Sequence, residues 1–61
     1  MLEYVKTILV KVSFDKNIFE KELKKAIKSL LEDDLNDLRQ WCYAQFYEEY
    51  PQVLQRCFVS G

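Results

Sequence analysis

Residues 2–14 contain no Gly, Pro, Asn or Asp, so no tight turn can fold this apolar stretch back on itself. Its side chains alternate. Ile8, Val10, Val12 and Phe14 fall on one side of a pleated ribbon, and Val5, Thr7, Leu9, Lys11 and Ser13 fall on the other. The first set is wholly apolar and the second mixed, as in a strand covered by helices on one face and partly wet on the other. The composition and the alternation predict a β-strand over about residues 4–14.

A strand with no neighbour leaves a row of backbone donors and acceptors open, and proteins either protect such an edge or pair it with another chain. Everything downstream reads as helix, so the partner strand must come from elsewhere. The expectation is a single α+β domain over residues 1–61: one strand, then helices at about 16–32, 34–49 and 51–59. The strand is expected to pair antiparallel with that of a second chain through Val5, Thr7, Ile8, Leu9, Val10, Lys11 and Val12. Pairing centred on Thr7 sets Lys11 opposite Glu3, whereas centring on Leu9 opposes Glu3 to Asp15, which favours the first register. Size points the same way. A 61-residue chain buries only roughly 60% of the surface its unfolded form exposes. With 49% hydrophobic and 15% aromatic residues and no dense disulfide or metal framework, a homodimer is the expected remedy.

The first helix is the best specified. Asp15 suits its N-cap, with Phe14 and Phe19 placed to close a hydrophobic staple; Asn17, with Glu20 three residues on, competes for that position. Phe19, Leu23, Ala26, Ile27, Leu30 and Leu31 then follow the helical repeat as one apolar face. Opposite them Lys21, Lys24, Lys25 and Lys28 form a single stripe. Such a stripe suits phosphate backbones, anionic headgroups or an acidic partner, and it is also what an ordinary solvated face looks like. Glu20 and Glu22 partly neutralise it.

Glu32, Asp33 and Asp34 interrupt the apolar pattern and mark a break, after which either Asp can cap the next helix. They lack the spacing and central Gly of a calcium loop. Leu35, Leu38, Cys42 and Phe46 make the core stripe of that helix, and Tyr43, Tyr47 and Tyr50 widen it on one side while Trp41 lies off the other shoulder. That arc is too wide for one packing neighbour, and Arg39 stands one turn before Tyr43, in reach of its ring. Trp41, Tyr43, Tyr47 and Tyr50 are therefore candidate partner-binding residues, alongside the four lysines. Pro51 opens a short last helix carrying Val53, Leu54, Cys57 and Phe58.

Charge is split along the chain. Residues 1–31 hold seven Lys against Glu3, Asp15, Glu20 and Glu22, while residues 32–61 hold Arg39 and Arg56 against six acids. The halves are complementary, which serves packing within or between protomers.

Several functions lack their residues. There is no His to act as a base near neutral pH. Gly61 is the only glycine, which leaves no phosphate-cradling loop, and Ser13, Ser29 and Ser60 sit in no nucleophile motif. Catalysis, a cofactor and a bound metal are not expected. Cys42 and Cys57 read as buried small hydrophobes, with a disulfide the alternative if their helices pack face to face. Lys6 and Lys11 interrupt the N-terminal apolar stretch, so no signal-peptide core or membrane span is expected and the cytoplasm is the expected compartment.

A strand followed by two helices, dimerising through the strand, resembles the plan of ribbon-helix-helix DNA-binding proteins. The passage VKVSFDKNIFEKELKKAI is loosely similar to their strand and first helix, and the resemblance spans residues 5–49. It implies a transcriptional regulator whose Thr7, Leu9, Lys11 and Ser13 enter the major groove. Three features depart from that plan: Asp33 and Asp34 stand where phosphate is normally met, Leu9 occupies the middle of the reading face, and the chain is acidic, with pI ≈ 5.3. The leading expectation is therefore a non-enzymatic protein-interaction module, with the DNA-binding plan as the alternative.

Overall fold

In the computed structural model, which describes residues 2–59, the N-terminal stretch is a helix. Met1, Ser60 and Gly61 lie outside the described residues, so the readings of Ser60 and Gly61 rest on sequence alone. Among the described residues four helices follow one another: α1 (Leu2–Lys11), α2 (Lys16–Ser29), α3 (Glu32–Phe46) and α4 (Pro51–Val59). The described residues contain no strand, and this overturns the α+β expectation. With it go the antiparallel ribbon through Val5, Thr7, Ile8, Leu9, Val10, Lys11 and Val12, and the ribbon-helix-helix plan with its groove-reading Thr7, Leu9, Lys11 and Ser13.

The physical reason lies in a second period carried by the same residues. Leu2, Val5, Leu9 and Val12 are spaced by three, four and three, the period of one helix face. Leu9 is fully buried on that face with Leu2, Val5 and Val12 packed around the core. Val10, expected inside, is 55% exposed, and Phe14 is 80% exposed. A helix satisfies its backbone groups internally, whereas a solitary strand does not. That gain outweighs the modest helix penalty of the β-branched Val5, Thr7, Ile8 and Val10, a few tenths of a kcal/mol each. Glu3 in the first turn and Lys11 in the last suit the helix dipole. Thr7 donates its hydroxyl back to the Glu3 carbonyl at 3.0 Å, a bond available only in the helical form.

No described residue has a positive φ, so the glycine-poor chain turns its corners by other means. Between α1 and α2 the Ser13 amide and hydroxyl both donate to the Val10 carbonyl, at 3.3 and 2.8 Å. Asp15 then caps α2, its carboxylate accepting from the amides of Asn17 and Ile18 at 2.9 and 3.2 Å. Asn17 lies inside the helix, and the exposed Phe14 closes no staple over the buried Phe19. Between α2 and α3 only Leu30 and Leu31 intervene, both extended. Leu31 is the N-cap residue of α3, without a side-chain bond, so Asp33 and Asp34 are not caps. They stand with Glu32 in the first turn, where the dipole favours them. Leu31, expected in the core, is 78% exposed. At the last corner the Tyr50 amide donates to the Phe46 carbonyl at 2.8 Å and Pro51 opens α4.

The helices close a ring in which α2 packs on α1 and α4, and α3 packs on α1 and α4. Its centre is one cluster of Leu9, Phe19, Leu23, Leu38, Cys42, Phe46, Val53 and Leu54 with their neighbours. Phe19 meets Phe46 edge-on at 4.9 Å and Tyr50 face-on at 4.9 Å, and Trp41 adds an edge contact to Phe46 at 5.5 Å. The Tyr50 hydroxyl donates to the Ser13 carbonyl, tying the α3–α4 corner to the α1–α2 turn. The accessible surface of 4380 Å² is close to the ~4,200 Å² of a well-closed chain of this mass. One chain thus buries a full core without a second strand.

The two readings of α1 differ in which side chain is structural. Leu9→Ala should cost about 2–5 kcal/mol in a urea titration, and Val10→Ala should stay within about 0.5 kcal/mol. A strand would reverse the order.

Candidate functional site

The lysine stripe survives the change of fold because it depends only on α2. Lys21, Lys24, Lys25 and Lys28 are all exposed, and Phe19, Leu23 and Ala26 are buried on the opposite face. Lys24 pairs with Glu20 at 3.5 Å and Lys25 with Glu22 at 3.8 Å. Lys21 and Lys28 make no ion pair among the described residues. Beside the stripe an open groove of about 130 Å³ runs between α1 and α2, with Tyr4, Val5, Ile8 and Leu9 on one wall and Glu22, Lys25, Ala26 and Ser29 on the other. Lys25 belongs to both features. Tyr4 and Ile8 were invisible as groove residues in a strand reading, and the helical spacing of Leu2, Val5 and Leu9 is the signal that would have put them on the flank of α1.

The aromatic arc divides in two. Tyr50 is held inward by Phe19 and the Ser13 carbonyl. Trp41 is half-buried on Phe46, with the Lys6 ammonium 5.7 Å from its ring. The cation on this arc thus comes from α1, and Arg39 is exposed with no ring partner among the described residues. Tyr43 is half-buried against the core and Tyr47 is exposed beside it. Their rings stack at 5.8 Å and 29°, and Tyr43 also meets Phe58 at 6.2 Å. Pro51, Gln55 and Val59 complete a cleft beside this pair, and none of the three was a candidate from sequence. Glu20, on the other edge of α2, also receives Arg56 from α4 at 3.4 Å.

Cys42 and Cys57 are free thiols in the shared core. Burial pushes the Cys42 thiol up from 9.0 to about 12, with Cys57 adding to the rise and Lys6 opposing it. The Cys57 thiol is raised as well, first by burial and then by Glu20, against Lys24 and Arg56. Thiolate chemistry is suppressed at both. Among the described residues no three His, Cys, Asp or Glu side chains converge to hold a metal, and no helix is long and apolar enough to cross a membrane.

Comparison with protein-family models, curated proteins and solved structures returned no match. The functional reading therefore rests on these surfaces alone.

Iodoacetamide should label neither thiol in the native protein at neutral pH and both after denaturation. A thiol pKa raised by folding means that the folded state keeps a proton the unfolded state releases, so the stability tied to Cys42 is intact below about pH 9 and is lost as pH rises toward 12. Unfolding midpoints across that window should fall more steeply in the parent than in Cys42→Ala.

Proposed function

We propose that this chain is a non-enzymatic protein-interaction module of the cytoplasm whose contact surface is the lysine face of α2 and the adjoining α1–α2 groove. The observation that carries the reading is Lys25, a member of the exposed stripe that also stands in the wall of an apolar groove. Exposed ion pairs contribute little alone, about 0–1 kcal/mol each. Combined with apolar burial they select a partner by charge and hold it by contact.

The partner that fits is an acidic amphipathic helix. Lys21, Lys25 and Lys28 lie within seven residue steps, about 10 Å along α2, a distance that carboxylates on two turns of a facing helix match. Its apolar stripe would lie between Tyr4, Ile8 and Ala26, as helices dock in grooves elsewhere. A protein suits this surface better than nucleic acid, because the groove wall is apolar and the chain carries a formal net charge of −1. The two unpaired thiols support a reducing compartment. Self-association can no longer run through an open strand edge.

A fluorescent helical peptide with Leu on one face and Glu flanking it should bind with salt-sensitive affinity. The triple variant Lys21→Glu, Lys25→Glu, Lys28→Glu should weaken it by about tenfold or more, and Tyr4→Glu should do so without touching the core. Equal binding of a Gln-for-Glu peptide, or stronger salt-sensitive retention of duplex DNA, would overturn the reading.

A further inference from the structure

The stacked pair Tyr43 and Tyr47 forms a wall shared by two depressions of different character. On one side lies a cleft of about 210 Å³ with a mixed polar and apolar lining, completed by Pro51, Gln55 and Val59. On the other lies a hollow of about 420 Å³ whose rim includes Glu48 and Glu49. The wall and floor are uncovered: Tyr47 is 55% and Val59 68% exposed. Glu48 and Glu49 are exposed and make no ion pair among the described residues. They follow Tyr47, the C-cap of α3, at the negative end of that helix's dipole.

We propose that this cleft binds an extended peptide segment carrying an arginine beside an aliphatic residue. Electron-rich ring faces next to two unanswered carboxylates are a cation-recognition chemistry. A planar guanidinium can lie on the exposed face of Tyr47 while donating to Glu48 or Glu49 in the fork geometry that carboxylates accept. The aliphatic neighbour then drops over the tyrosine wall onto Pro51 and Val59. Lysine fits less well, since its ammonium lacks both the plane and the fork. Charge complementarity fixes the sign of the partner, because residues 32–61 carry six acids against two arginines. The α2 face attracts acidic segments, so this site is independent of the one proposed above.

The test uses the whole chain and a short labelled Gly-Ser peptide containing one Arg-Leu step, with citrulline and Lys versions as controls. Citrulline keeps the size and planarity of arginine but removes its charge and replaces one NH2 donor group by a carbonyl oxygen. The arginine peptide should bind, the lysine peptide more weakly, and the citrulline peptide at least about tenfold more weakly. Amide chemical-shift changes should map to residues 43–59. Tyr47→Ala and the double variant Glu48→Gln, Glu49→Gln should each lower affinity while leaving the unfolding midpoint near that of the parent, because the substituted side chains are exposed. The inference is overturned if no peptide binds, if citrulline binds as well as arginine, if Tyr47→Ala changes nothing, or if the shifts map to the α1–α2 groove.

Discussion

Phe19 is the contact on which the arrangement of the other elements depends. It is wholly buried, and three rings from the α3 end of the chain organise around it: Phe46 edge-on, Tyr50 face-on, and Trp41 behind Phe46. Edge-to-face and offset contacts of this kind contribute about 0.5–1.5 kcal/mol beyond area burial and, unlike aliphatic packing, they fix relative orientation. Tyr50 extends the effect. Its hydroxyl binds the Ser13 carbonyl, so the ring that packs on α2 also pins the turn that delivers α1. The helices of so short a chain are each too short to persist alone in water, and this cluster makes their formation mutually dependent.

Around that centre the charges are sorted by element. The lysines of α2 point away from the core on one side, and the acids of α3 and of the α3–α4 corner on another. Glu20 is where the two halves meet, receiving Lys24 from its own helix and Arg56 from α4. Both sites proposed above follow from this sorting. The first is an apolar groove beside the α2 lysines, with Glu22 and Lys25 both on its wall, and the second is a tyrosine-walled cleft beside the acids of the α3–α4 corner. A chain with too little volume for an enclosed pocket still offers grooves where its short helices diverge.

The downstream half of the architecture was readable because its signals are local. Asp15 precedes an apolar periodic run and caps it, Pro51 has no amide hydrogen to place and opens α4, and the acids 32–34 gather where a helix N-terminus favours them. The error at α1 has a specific cause. Residues 4–14 satisfy period 2 and, with Leu2, period 3.6 at once, and β-branched side chains tilt a short ambiguous run toward strand. The misplacement of Phe14 and Leu31 shares a cause: both stand at corners, where helical phase no longer decides which way a side chain points.

By itself the sequence determined the α2, α3 and α4 segments, the amphipathic face of α2 with its lysine stripe, and the aromatic excess of α3, since each is set by bonding and spacing within a few residues. Only the tertiary structure decided that residues 2–11 are a helix, that Trp41, Tyr43 and Tyr50 pack on the core while Tyr47 stays exposed, and that Lys25 borders a groove. Those outcomes depend on which surfaces meet. Leu9 must lie against the neighbours that bury it, and Tyr50 must reach Ser13 across 37 residues of chain, contacts that no window of sequence contains.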